Sequence, residues 1–443
     1  MKTPIRDFIN EYIESAPLRL HMPGHKGNAY FGFEKFDVTE VDGADDLYGA
    51  DGIIAESENN ASQLFGARTF YSTEGCSLAI KTMLFLAIKH AKETGLAPII
   101  AAGRNAHKSF ISAAALIGFD VNWIYSPTEE NYLTCKITAK SLSEFLDNQK
   151  NTPCAVYLTS PDYLGNVTDV KEIAKVLKAR NILLLVDNAH GAYLKFLQPS
   201  LHPIDLGADM CCDSAHKTLP CLTGGAYLHL SKNLPENLAR QVKDAMALFG
   251  STSPSYLILQ SLDMLNAYLA DGYKEKLLGY VNQVNALKNE LLGAGYILVG
   301  NEPLKITFNT KSYGYTGQEF NQVLKNKGLV CEFYDPDYTV LMLTPDVNLE
   351  RLKNALLSIP KKEKIKTFPP KLNRPIKVTD IRQATLSECE KISVKEAKGK
   401  ILASASVSCP PAVPILVCGE KIDDDAIRCF EYYGIKSCKI VKE

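Results

Sequence analysis

Two short apolar runs, each closed by a polar cluster, constrain this chain more than any other feature. The first, Ile182-Leu183-Leu184-Leu185-Val186-Asp187, ends in an acid and continues into Asn188-Ala189-His190-Gly191. The second, Asp209-Met210-Cys211-Cys212-Asp213, continues into Ser214-Ala215-His216-Lys217-Thr218. Apolar runs of this length are strands buried on both faces, as in a parallel sheet covered by helices. Such a sheet delivers the polar residues that follow its strands to a ligand crevice at the carboxyl edge. Asp187 and Lys217 would then face one pocket. Taken alone, Asp187 reads as a turn former and the Ser-Ala-His-Lys segment as a solvated loop. Together, in this order and spacing, they meet the needs of pyridoxal 5′-phosphate: an amine for imine formation and an acid that keeps a pyridine nitrogen protonated.

Strand and helix patterns alternate around this pair. Residues 66–72 read as a strand that turns through Thr73-Glu74-Gly75-Cys76-Ser77 into a helix from Leu78 to about Thr94. Backbone N–H groups at the start of that helix suit an anion, with Ser77 as a plain N-cap the simpler alternative. Pro98 to Ala102 is a further strand, leading to His107 and an apolar helix. Ala155 to Thr159 is another, ending at Ser160-Pro161, and a helix follows from Asp169. This βαβ rhythm predicts an α/β fold, a mostly parallel central sheet with helices on both faces.

The arrangement resembles the Orn/Lys/Arg decarboxylase family, pyridoxal-phosphate enzymes of fold type I with an aspartate-aminotransferase-like fold. It is most similar to the short bacterial branch without the N-terminal wing domain. The resemblance is collinear from the turn Met22-Pro23-Gly24-His25-Lys26 through Ala106-His107-Lys108-Ser109, Asp187-Asn188-Ala189-His190 and Ser214-Ala215-His216-Lys217. It implies that Lys217 carries the cofactor, Asp187 holds the ring nitrogen and His107 stacks on the ring, with Ala189 on the opposite face. It further implies a phosphate cup at Gly75, Cys76 and Ser77, with Ser160, His190, Ser214 and His216 completing the cofactor site. The family's usual cup reads Asn-Gly-Thr-Ser, so Glu74 and Cys76 are departures and Ser77 carries more of the binding. The implied reaction is decarboxylation of arginine, lysine or ornithine to an amine of polyamine metabolism. An aminotransferase, an aldolase or a non-catalytic cofactor-binding protein on the same fold are the alternatives.

Composition narrows the surroundings. A net charge of −1 gives no reason to expect nucleic acid or an anionic membrane, and no apolar run reaches membrane-spanning length. The N-terminus has no apolar signal core, and the twelve cysteines include no C-x-x-C, which together suggest the reducing cytosol. No metal is expected. The loop from Asp37 to Tyr48 holds five acids and reads as structural or as a dimer contact, with a secondary claim on a cationic substrate. Ser251 to Ser255 precedes a long helix from Leu257, and the resemblance implies that this loop reaches a second subunit's phosphate, hence a homodimer or an assembly of dimers.

The 443 residues suggest three parts: an arm and cofactor domain over 1–275, a small α+β domain and linker over 276–368, and a C-terminal domain over 369–443. The small domain is expected to hold strands at Leu304–Phe308, Leu329–Phe333 and Val340–Leu343, with Glu332 and Asp335 between two strands, as a solvated loop or as acids available to a distal cation. The stretch Pro360 to Lys366 reads as a linker. Cys409-Pro410-Pro411-Ala412-Val413-Pro414 to Gly419-Glu420 resembles the family's C-terminal signature, with Ala412 for Gly and Cys418 for Pro.

Overall fold

A computed structural model describes residues 1–126, 131–371, 373–404 and 412–442. The strands in chain order are β1 (Arg68–Ser72), β2 (Ile99–Gly103), β3 (Asp120–Ile124), β4 (Ala155–Thr159), β5 (Leu183–Asp187), β6 (Met210–Asp213) and β7 (Ala226–Leu230). They are followed by β8 (Leu298–Val299), β9 (Lys305–Asn309), β10 (Phe333–Tyr334), β11 (Tyr338–Met342), β12 (Cys389–Ser393) and β13 (Ser437–Val441). The chain divides into two compact units, Met1–Leu96 with Val170–Leu278, and Ala97–Asp169 with Gly279–Glu443.

In the first unit the strands lie in the order β1-β7-β6-β5. β5 and β6 are parallel, with Asp187 opposite Cys212, while β7 runs antiparallel to both β6 and β1. Every residue of β6 and β7 is buried, which is why these strands read as unbroken apolar runs. The helix Gly75–Thr94 packs across β5, β6 and β7. Its buried residues, from Cys76 through Ala91, occupy most of its circumference, as expected of a helix enclosed by its own domain.

In the second unit β4-β2-β3 are parallel neighbours. A four-stranded antiparallel sheet in the order β10-β11-β9-β8 and a ribbon of β12 and β13 complete it. The mixed α/β class with a mostly parallel central sheet is therefore observed.

Several local expectations are corrected. The helix expected from Leu78 starts at Gly75, whose φ of +65° is relaxed only for glycine. Ser77 therefore lies inside the first turn and is not its N-cap. That position belongs to Glu74, whose carboxylate instead accepts from Ser251 N at 2.6 Å. The strand expected at Leu329–Phe333 is confined to Phe333–Tyr334. The segment from Pro360, read as a linker, has no regular secondary structure, and its start is tied back where Tyr315 Oη donates to Pro360 O at 2.7 Å and Lys362 N and Ile365 N bond to Tyr313 O and Lys311 O. Cys409, Pro410 and Pro411 of the C-terminal signature lie outside the described residues. Ala412 takes a φ of +57°, a left-handed conformation in which glycine is unstrained and alanine is not.

The acidic loop has a structural member. Asp45 is buried, and its Oδ2 accepts from Gly52 N and Ile54 N at 2.9 and 3.0 Å. It thus satisfies donors at the start of the helix Ile53–Phe65, where the helix dipole also favours a negative charge. Replacing Asp45 with Ala is expected to lower the unfolding free energy by about 1–2 kcal/mol, read as a reduced urea midpoint. An unchanged midpoint would remove this capping role.

Candidate active site

The parallel register of β5 and β6 brings their polar ends together in the first unit. Lys217 lies in the short helix Ala215–Thr218 directly after β6, and its Nζ is 3.1 Å from His190 Nε2 in the turn after β5. Asp187, 3% exposed, closes β5, and its Oδ1 accepts from Ala189 N at 3.2 Å and from Cys212 Sγ at 3.7 Å. Burial pushes the Cys212 thiol up, so Cys212 serves as a neutral donor to that carboxylate. Ser214 is buried, and its carbonyl receives Lys217 N at 3.0 Å.

The start of the helix Gly75–Thr94 belongs to the same unit. Gly75 N donates to Gly224 O at 2.8 Å, which draws the loop before β7 against the cup. A Cβ on Gly224, whose φ is +101°, would stand 2.8 Å from Thr73 O, so only glycine admits this approach. The His216 ring lies beside the cup, with Cε1 3.9 Å from the place a Cβ on Gly75 would take. His216 Nδ1 is 2.9 Å from Gly225 O, and burial lowers the imidazole's basicity. Pyridoxal 5′-phosphate fits this donor set: a primary amine, a buried carboxylate on the neighbouring strand, and a glycine-opened helix start whose first-turn N–H groups lack intrahelical acceptors. Gly75, Cys76, Ser77, Asp187, Ala189, His190, Ser214, His216 and Lys217 are thus gathered within one unit.

His107 and Ser160 belong to the second unit. His107 caps the helix Lys108–Ala113, its Nδ1 accepting from Ser109 N at 3.1 Å. That bond fixes the plane of the imidazole. Ser160 is buried, and its Oγ accepts from Thr168 N at 3.0 Å.

The turn bearing His107 is braced by the C-terminal part of the chain, which the sequence did not suggest. Arg104 pairs with Glu420 at 2.8 Å and donates to Ile415 O at 3.1 Å, while Lys108 N donates to Ala412 O at 2.8 Å. Glu420 also accepts from Val417 N at 2.7 Å. The resembling Gly-Glu of the C-terminal signature thus has a physical task, neutralising a largely buried guanidinium.

The second unit also contains a cavity of about 500 Å³ lined by Tyr132, Asn321, Glu332, Phe333, Asp335 and Tyr433, among others. Glu332 accepts from Tyr163 Oη at 2.8 Å. Asp335 Oδ1 accepts from the backbone N–H groups of Asp337 and Tyr338, and its Oδ2 has no partner among the described residues. Burial pushes Asp335 up to about 7. An ordinary aspartate in the unfolded chain ionises near 3.8, so the folded state holds a proton that the unfolded state has released over the interval between. Stability should therefore fall as the pH rises from about 4 to 7. Asp335→Asn should flatten that slope in urea midpoints measured across the interval, and parallel curves for the two proteins would contradict the assignment.

A sequence model described as "Orn/Lys/Arg decarboxylase, major domain" matches residues 3–350, and one described as "Orn/Lys/Arg decarboxylase, C-terminal domain" matches residues 365–437. The chain is similar to the arginine decarboxylase of Bacillus subtilis (strain 168), 28% identical over 464 residues that cover 96% of this chain and 92% of that protein. It is also similar to the uncharacterized protein YaaO of the same organism, 29% identical over 459 residues covering 97% and 93%. Among solved structures it resembles lysine decarboxylase A from Pseudomonas aeruginosa, with a TM-score of 0.81 and 16% identity over 99% of this chain and 80% of that one. The E. coli constitutive lysine decarboxylase gives a TM-score of 0.77 and 16% identity over 100% and 82%. At that identity the likeness is one of fold.

Proposed function

The chain belongs to the Orn/Lys/Arg decarboxylase family, and from that premise we propose that it uses pyridoxal 5′-phosphate to remove the α-carboxyl group of arginine, lysine or ornithine. The observation that carries the reading is the contact of Lys217 with His190 at the ends of two parallel strands, the first of which Asp187 closes. The product would be a polyamine or its precursor.

When bound, the cofactor supplies a conjugated ring that takes up the electron pair left by the departing carboxylate. The chain's own residues do the rest. Lys217 Nζ is the amine that anchors the cofactor, and His190 Nε2 is placed to hold or pass a proton at that nitrogen. Asp187, kept from water and already bonded through Oδ1, holds a proton on the ring nitrogen. First-turn N–H groups of Cys76 and Ser77 bind the phosphate, with Gly75 opening the turn and Ser214 and His216 alongside. Enclosure of these groups excludes water, which strengthens each charge interaction. The roles given to His107, Ser160 and Ala189 at the ring rest on the family's motifs.

Glu332 and Asp335, on the cavity of the second unit, are the acids proposed to receive the substrate's distal cation. We place the protein in the cytosol and expect a homodimer or an assembly of dimers. Leu18, Leu20 and Phe31 of the N-terminal arm are 84%, 84% and 81% exposed, apolar surface that a second copy would cover. We retain the functional division into 1–275, 276–368 and 369–443.

Release of labelled CO₂ from carboxyl-labelled arginine, lysine and ornithine tests the reaction and ranks the substrates. No release from any of the three would reject it. Lys217→Ala should abolish both turnover and borohydride trapping of the cofactor, and a trapped peptide containing another lysine would overturn the anchor. Asp187→Ala leaves a buried ring nitrogen without its charge partner, at a cost of about 3–5 kcal/mol, and should slow turnover by roughly a hundred- to a few-thousandfold. Near-full turnover in that variant would refute its role.

A further inference from the structure

The carboxylate of Asp213 takes no part in the chemistry above, yet it is completely enclosed. Burying a charge is costly unless the surroundings compensate it. Three N–H groups do so: Asn188 Nδ2 reaches Oδ1 at 2.6 Å, and His202 Nε2 and His229 Nε2 reach Oδ2 at 3.0 and 3.1 Å. Asp213, Asn188, His202 and His229 are all 0% exposed. Among the described residues no lysine or arginine pairs with Asp213. The titratable groups facing it are the two imidazoles, Cys211 and Tyr227, with the Lys195–Asp205 pair one step further out. Burial opposes an ionised Asp213, but the two imidazoles outweigh it and hold the carboxyl well below the usual range.

Asn188 joins this cluster to the site. It follows Asp187 directly, its backbone N donates to Cys212 O at 3.0 Å, and its carbonyl accepts from Gly191 N at 2.7 Å. That last bond closes the turn carrying Ala189 and His190. A Cβ on Gly191 would stand 2.0 Å from Asn188 Oδ1, so the turn and the asparagine side chain fit together in one way. On the other strand, Asp213 directly precedes Ser214, whose carbonyl holds Lys217 N. One acid therefore ties together the ends of both strands that carry the cofactor-binding groups.

We propose that Asp213 is a positioning residue of the cofactor site: through Asn188 it fixes the turn bearing Asp187 and His190, and its fixed negative charge raises the proton affinity of the nitrogen atoms held by Lys217 and Asp187. The inference rests on the reading of Lys217 and Asp187 given above. It differs from a metal site, although His202, Cys211 and Asp213 place possible ligand atoms within 4.8 Å of one another. Ligation through His202 Nε2 would leave a proton on Nδ1, a buried atom with no partner among the described residues, whereas metal-bound imidazoles donate that proton to an acceptor.

Asp213→Asn keeps the shape and removes the charge. With both holoenzymes titrated, the pH midpoint of the bound cofactor's visible absorption should fall by about half a unit or more in the variant, a shift that a merely structural role would not produce. Asn188→Ala removes the clamp and leaves the charge, so it should weaken cofactor affinity by about tenfold with the midpoint unmoved. An unmoved midpoint in a folded, cofactor-binding Asp213→Asn would overturn the charge role. Unchanged affinity in Asn188→Ala would overturn the clamp, and this variant carries the test if Asp213→Asn does not fold. Stoichiometric zinc in the purified wild-type protein would overturn the hydrogen-bonded arrangement itself. Wild-type protein that binds no pyridoxal phosphate would instead reject the underlying reading of the site.

Discussion

The parallel pairing of β5 with β6 is the constraint on which the first unit depends. It sets Asp187 level with Cys212, so the residue after each strand emerges at the same edge. A slip of one position would turn every side chain of one strand to the opposite face of the sheet. Asp187 would then lose Cys212, and Asp213 would lose Asn188. Because the strands are buried on both faces, the penalty for such a slip is large and the register is well specified.

Two acids sit at this edge with different partners. Asp187 accepts from a backbone N–H and from a thiol through Oδ1. Asp213 is saturated by an amide and two imidazoles and is closed to any ligand. The first is proposed here as a binding group and the second as its support. The difference comes from β6 itself, where successive residues point to opposite faces. Cys212 therefore faces Asp187, while Cys211, Asp213 and the neighbouring His229 share the other side.

Much of this was legible in the sequence because it depends on local pattern. Unbroken apolar runs marked β5 and β6, and the residues after them marked the site. What could not be read depends on pairings distant along the chain. No periodicity links His202 and His229 to Asp213, or Glu420 to Arg104. The start of the helix after β1 was misplaced because Ser77 looks like a cap. Only the backbone shows that Gly75 begins the turn and that Glu74 spends its carboxylate on Ser251. Nor does any pattern reveal that the irregular stretch after Pro360 bonds its backbone to Lys311 and Tyr313.

The ion pair between Arg104 and Glu420 bears on how short a working enzyme of this kind can be. The side chains are 12% and 5% exposed, so neither charge has water to fall back on. A chain ending before the C-terminal part would keep the guanidinium three positions ahead of His107 and lose the acid that neutralises it, together with the carbonyls of Ile415 and Ala412 that anchor the same turn. The C-terminal part is therefore no detachable appendage. The bracing of that turn depends on the chain continuing as far as Glu420.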